Sequence, residues 1–370
     1  MSERVISADD HIDLTYIPRD LWQKRLPAKY REAGPKVVNN DRGGTEWVRE
    51  GKRWGHWGSK RPENMIIVFD KAGLPEEPEP GVWRSTSVKY RLKDMDAEGI
   101  DAQVLYNFLD WSFTDQELKS AVCTAFNSWQ AEELCAPSNG RLIGLATLPA
   151  HDAQAAVKEM LRCQSIGLRG AYFDVWGAVK PIFDPMWEPL WSAAEESGMS
   201  INVHVGAGSH SLTKIPNDQP WKLPSLAAVL GMQLEEVLAT MILSGVLDRH
   251  PKMKFVLGES GIGWIPYVLE RLDYEISQYG TTRGSTVTLK ASPREIFHRQ
   301  CYATFSDEHL GVELISRTSA DNFMWAADYP HGDGTFPHSS KIRERMFGKA
   351  DAAMRRKILC DNAAKVYNLN

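Results

Sequence analysis

The sequence predicts a (β/α)8 barrel, and three observations carry that expectation. Eight short apolar runs recur along the 370 residues, helix-length segments separate them, and most runs are apolar throughout instead of alternating. Strands that are apolar on both faces belong in a parallel sheet covered by helices, and eight repeats is the number that closes such a sheet. A doubly wound open sheet is the rival, but no Gly-rich fingerprint follows the first run.

The first strand, Val5 to Ala8, ends abruptly in Asp9-Asp10-His11-Ile12-Asp13. Residues 15–90 break the pattern. Pro75, Pro78 and Pro80 are interleaved with acids, Gly51, Gly55 and Gly58 interrupt any period, and Trp47, Trp54, Trp57 and Trp83 recur. This stretch reads as an irregular Trp-rich insertion, or lid, inside a single domain spanning 1–370, because loops of that length are uncommon unless they cover a site. Regularity begins near Tyr90: a helix Arg91 to Gly99 stopped by its glycine, then a strand Ala102 to Tyr106. Helices from about Asp115 to Cys135, Asp152 to Gln164 and Asp184 to Ser197 alternate with strands Leu142 to Ala146, Leu168 to Tyr172 and Ser200 to His204. A helix near Leu226 to Leu243 leads to the strand Lys254 to Glu259, a helix Trp264 to Gln278 follows, and Cys301 to Phe305 and Asn322 to Ala326 complete the eight.

Composition narrows the function classes. A net charge of -5 with no Lys/Arg run argues against a nucleic-acid binder. No run of eighteen apolar residues and no basic-then-apolar start argue against a membrane protein or a signal peptide. The five cysteines are odd in number, scattered and without CxxC spacing, which reads as reduced thiols and a cytoplasmic protein; none sits in a Gly-rich or His-flanked turn suited to a nucleophile. Thirteen tryptophans point to an aromatic-lined pocket.

In such a barrel the active site lies at the carboxyl ends of the strands. Asp9 and His11 follow the first strand, His204 ends the fifth, Glu259 ends the sixth, and Asp328 and His331 follow the eighth. Singly, each has a bland explanation as a hydrogen-bonded structural residue; together they deliver six ligand-type groups to one rim and predict a metal centre. Carboxylates mixed with imidazoles suit Zn, Mn, Fe or Mg, and an open position would activate water or polarise a substrate oxygen. Trp57 and Trp111 are candidates for a lid over an apolar or aromatic substrate, with packing of the insertion as the alternative, and His210 is a candidate for lining the site or else an exposed loop residue.

Ser7-Ala8-Asp9-Asp10-His11, Asn202-Val203-His204, Leu257-Gly258-Glu259-Ser260-Gly261-Ile262-Gly263-Trp264 and Ala327-Asp328-Tyr329-Pro330-His331 resemble the signature segments of the amidohydrolase-related branch of the amidohydrolase superfamily. The branch includes amino-carboxymuconate-semialdehyde and dihydroxybenzoate decarboxylases, and the likeness runs to Asn362-Ala363-Ala364-Lys365-Val366-Tyr367. It implies a TIM-like barrel and places the family's first-strand ligand pair on Asp9 and His11, its fifth-strand metal His on His204 and its eighth-strand metal Asp on Asp328. Where the decarboxylases carry a histidine after the sixth strand for proton handling, this chain has Glu259.

The resemblance implies a metal-dependent hydrolase or decarboxylase of a small, carboxylate-bearing molecule, with one divalent Zn or Mn and with Asp328 or Glu259 moving protons. An alternative is a dinuclear Fe/Mn oxygen-dependent hydroxylase, with Glu259 and His331 holding a second ion and Asp9 bridging. A third is a catalytically silent subunit. The resemblance also implies a homodimer or higher oligomer, with a hetero-oligomer open.

Overall fold

The structure is a computed structural model that describes residues 3–369 except 42, 59–67, 109–110, 207–210, 217 and 283–284. Its centre is one eight-stranded parallel sheet: β1 (Ile6–Asp13), β2 (Ala102–Phe108), β3 (Leu142–Thr147), β4 (Gly170–Tyr172), β5 (Ser200–His204), β6 (Phe255–Gly258), β7 (Cys301–Phe305) and β8 (Phe323–Trp325), paired in that order. The last strand returns to the first. Asp328 N–H donates to the Asp9 carbonyl at 3.0 Å, His11 N–H to the Tyr329 carbonyl at 2.7 Å and Ala327 N–H to Ser7 Oγ at 2.7 Å. Those bonds close the (β/α)8 barrel that the apolar runs predict.

Helices pack outside the sheet, and their ends follow local chemistry. Asp115 accepts from Glu117 N–H and Leu118 N–H at the start of Gln116–Trp129, and Asp152 accepts from Ala155 N–H at the start of Ala153–Ser165. Gly99 (φ 63°) ends Val88–Glu98 in the left-handed region that a side chain disfavours. The helix expected near Leu226 to Leu243 is split into Lys222–Leu230 and Leu234–Leu243 by a 3-10 turn at Gly231–Gln233. The combined stretch of 22 residues is long and apolar enough to cross a membrane by length and composition alone, but Leu234, Leu238, Met241 and Ile242 of its second half are buried in the hydrophobic core.

Two boundaries differ in ways that matter for the site. β1 continues through Asp13, so Asp9 and His11 lie within a strand and not after it, and the β1 register slips between Ser7 and Asp10. β6 stops at Gly258, leaving Glu259 just beyond it.

The insertion is not irregular throughout. Lys36–Asn39, Thr45–Arg49 and Lys52–Trp57 form a three-stranded antiparallel sheet. Glu50 (φ 46°) and Gly51 (φ 71°) make its two-residue turn with both central residues left-handed, the geometry that matches strand twist in a hairpin. Buried Trp47 locks this sheet to the barrel: its indole N–H donates to the Leu14 carbonyl at 2.8 Å and its ring meets Trp22 edge-on at 4.9 Å. Phe69, in the helix Val68–Ala72, packs on Tyr329 and Phe336, and Lys71 hydrogen-bonds the Gly332 carbonyl, so the insertion reaches the loop after β8.

Candidate metal centre

Side chains alternate along a strand, so Asp9, His11 and Asp13 share one face of β1 and Asp10 points to the other. Asp9 is divided between two tasks. Its Oδ2 accepts from Glu259 N–H at 2.7 Å and from Thr304 Oγ1 at 2.6 Å, while its buried Oδ1 lies 3.6 Å from His11 Nε2 and 3.5 Å from His204 Nε2. His204 ends β5. Its Nδ1 is 3.0 Å from the Val205 carbonyl, which can only accept, so Nδ1 carries a proton and Nε2 is the nitrogen that faces Asp9. Gly258 makes room for this: a Cβ there would stand 2.7 Å from the His204 ring and 3.1 Å from Asp9 Oδ2.

Glu259 and Asp328 complete the cluster. Glu259 Oε2 is 3.4 Å from His204 Nε2 and 3.8 Å from His11 Nε2, and Asp328 Oδ1 is 2.9 Å from His11 Nε2. Both residues sit past a strand end with left-handed backbones, φ 51° and 56°, which cost on the order of 1–3 kcal/mol each in a side-chain-bearing residue. Their N–H groups are held by Asp9, through its carboxylate and its carbonyl respectively, so one strand fixes both strained positions. His331 stacks on His11 with centroids 4.0 Å apart; its Nδ1 is 2.9 Å from Asp328 Oδ1 and its Nε2 is 3.3 Å from Asp13 Oδ1.

Behind β1 a buried polar layer supports these groups. Asp10 Oδ1 accepts from Gln103 Nε2 and Tyr329 N–H, and Arg91 donates to Gln103 Oε1 at 2.7 Å and to the His11 carbonyl at 2.8 Å. Tyr329 in turn donates its hydroxyl to Asp94 at 2.8 Å. The backbones on either side of the site are thereby tied to ionisable groups that are themselves buried.

Electrostatics mark the cluster as a site for a cation. Burial alone would lower the His204 pKa, but Asp9 and Glu259 beside it lift it to about 9. Burial and the neighbouring Asp328 push Glu259 up to about 8. Burial drives His11 well below the usual imidazole range, with His331 and His204 adding to the effect. Among the described residues only imidazole nitrogens approach the buried Oδ1 atoms of Asp9 and Asp328, and buried carboxylate oxygens without a fully formed hydrogen bond are costly. Donor atoms bonded to one ion at 2.0–2.2 Å stand about 3.0–3.5 Å apart. The separations of 2.9–3.8 Å found here bracket that spacing, and the oxygen- and imidazole-based donor set suits a hard or borderline divalent cation.

The structure therefore brings together all six residues singled out from the strand ends. Among the described residues two groupings meet metal-ligand spacing, Asp9 with His11 and His204, and His11 with Glu259, Asp328 and His331. Trp111 is fully buried, donates its indole N–H to Asn107 at 2.8 Å and packs on Trp54 and Phe126; Trp57 donates to the Ile17 carbonyl and meets Trp83. His210 lies outside the described residues. All five cysteines are free, and burial raises the pKa of each thiol. The sequence reading passed over Asp13 and Thr304. Asp13 was detectable as the next residue on the Asp9 and His11 face, whereas a threonine inside an apolar strand looks like β-branched filler.

A strand-end cluster of carboxylates and imidazoles in a closed parallel barrel defines a metal-dependent barrel enzyme. Residues 66–369 match the amidohydrolase family, and the chain belongs to it. It is 26% identical over 261 residues to a gamma-resorcylate decarboxylase of Rhizobium sp. (strain MTP-10005), covering 65% of this chain and 76% of that protein. Its fold is similar to an amidohydrolase from Mycobacterium avium subsp. paratuberculosis K-10, with TM-score 0.76, 20% identity and coverage of 99% and 98% of the two chains. It is also similar to a dihydroxybenzoic acid decarboxylase from Polaromonas sp. JS666 with bound manganese and the inhibitor 2-nitroresorcinol, with TM-score 0.65, 19% identity and coverage of 100% and 98%.

Proposed function

We propose that this enzyme is a metal-dependent decarboxylase of phenolic carboxylic acids, in which Asp9, His11, His204 and Asp328 hold one Mn2+ and Glu259 supplies the proton. The observation that carries the reading is the convergence of these donors around one point, with a carboxyl group biased towards its neutral form beside them. Manganese is favoured because carboxylates make up half of the shell, and a similar decarboxylase holds it. A bound divalent ion would supply a Lewis acid for the substrate's carboxylate and phenolate oxygens.

The protein's own groups account for the rest. Asp9, fixed through Oδ2, presents Oδ1, and His204, fixed through Nδ1, presents Nε2. Glu259 in its acid form protonates the ring carbon that bears the carboxylate; the C–C bond then breaks, its electron pair returns to the ring, and CO2 leaves. The Glu259 carboxylate is reprotonated from solvent through its exposed edge, since the side chain retains 26% of its accessible surface. His331, with both nitrogens facing carboxylates, orients Asp328 in this reading and takes no metal bond.

The two-ion alternative has less support, because both ligand groupings count His11 and its Nε2 is the atom that approaches Asp9, Glu259 and Asp328. One imidazole nitrogen binds one ion. The test is CO2 release from 2,6-dihydroxybenzoate and related hydroxybenzoates by the Mn2+-loaded enzyme. Glu259→Gln should lose about 10²–10⁴-fold in kcat, the range for a missing general acid. Hydrolysis of amides or esters, with no hydroxybenzoate turned over, would replace decarboxylase by hydrolase.

A further inference from the structure

We infer that Thr304 is a positioning residue that welds Asp9 to Glu259 and sets the angle at which Asp9 meets the metal. The inference rests on the reading of Asp9 as a ligand. Thr304 lies fully buried in β7, two strands from β1 around the closed barrel. Its Oγ1 is 2.6 Å from Asp9 Oδ2 and 2.7 Å from the Glu259 nitrogen, and that nitrogen is itself 2.7 Å from Asp9 Oδ2. Three groups, from β1, from β7 and from the residue just past β6, close a triangle.

The direction of each bond follows from chemistry. A carboxylate only accepts and a peptide N–H only donates, so the hydroxyl must donate to Asp9 and accept from Glu259. The single Glu259 N–H is shared between two acceptors, which leaves the threonine hydroxyl as the undivided donor to Oδ2. A carboxylate rotates about a broad torsion, and only its bonds fix which oxygen faces where. Without the hydroxyl, Asp9 Oδ1 is no longer held at 3.5–3.6 Å from His204 and His11, and the left-handed Glu259 backbone loses one of its two anchors.

Valine has the shape of threonine without its donor, so Thr304→Val removes the bond without opening a cavity. The experiment is calorimetric titration of metal-free protein with Mn2+, for the parent chain, Thr304→Val, Thr304→Ser and His204→Ala. Thr304→Val should bind Mn2+ about 10–100-fold more weakly, the usual loss when a group that orients a metal ligand is removed. Thr304→Ser should restore binding to within about threefold, a rescue that a packing role would not produce. His204→Ala should lose binding. Parent-like affinity in Thr304→Val, with His204→Ala defective, overturns this inference alone; parent-like affinity in His204→Ala overturns the metal-centre reading beneath it. Should Thr304→Val fail to fold by circular dichroism, Thr304→Ala against Thr304→Ser makes the same comparison.

Discussion

Glu259 and His204 each favour a bound proton in the cation-free protein, for opposite reasons. Burial and Asp328 disfavour the Glu259 carboxylate, moving its pKa up to about 8, whereas Asp9 and Glu259 overcome burial to stabilise the His204 imidazolium up to about 9. A dication reverses the His204 preference, because ligands must be deprotonated to bind, whereas Glu259, outside the proposed ligand shell, keeps its proton as the acid. Mn2+ uptake at pH 7 should therefore release roughly one proton, from His204. Calorimetry in buffers of different ionisation enthalpy measures that number directly, and affinity should climb between pH 6 and 9. A second residue-level test is Gly258→Ala. Its added Cβ would press on the His204 ring and on Asp9 Oδ2, so Mn2+ affinity should fall by about tenfold or more while the fold survives. Unchanged affinity would mean that the close packing at Gly258 has no bearing on the centre.

Among the elements, the insertion is held to the barrel by tryptophans. Trp22, Trp47 and Trp111 are fully buried and make edge-on contacts with one another or with Trp54. Trp47→Ala should destabilise the protein by about 3–5 kcal/mol, the cost of truncating a buried aromatic. Denaturant unfolding reads this as a lower midpoint, and a change well under 1 kcal/mol would mean that the insertion sheet is only loosely joined. The barrel strands were legible in the sequence because burial on both faces leaves unbroken apolar runs such as Ile201 to Val203 and Phe255 to Leu257. The insertion sheet was not. Its strands are short and half exposed, and glycines at 51, 55 and 58 mask the alternation, although Glu50-Gly51 between Val48 and Trp54 carried a hairpin signal. The metal-ligand candidates were legible as polar residues ending apolar strands. Thr304, Arg91 and the Asp10 layer were not, because their partners come from other strands and only the closed barrel brings them within reach.

At the scale of the whole molecule, closing the sheet places β1 between β2 and β8 and so gathers groups from β1, β5, β6, β7 and β8 at one rim. That assembly costs stability when no cation is present. His204 gains a folded-state pKa above its ordinary 6.5, so its favourable contribution is full below that value and is lost as pH rises through about 9. Glu259 is raised from 4.5 to about 8, so the folded state binds the extra proton and stability falls as pH climbs across that window. The metal-free protein should accordingly show a Tm that declines from about pH 6 to 9. Mn2+ at about 100 times its Kd should add about 2.7 kcal/mol and flatten the decline.

Elemental analysis of the Mn2+-reconstituted parent chain and of Glu259→Gln, paired with CO2 release from 2,6-dihydroxybenzoate, tests the central claim most directly. The geometry predicts one Mn per chain in both proteins, with CO2 release lost only in the variant. Two ions per chain in the parent, falling to one in Glu259→Gln, would make Glu259 a metal ligand and contradict its role as the acid.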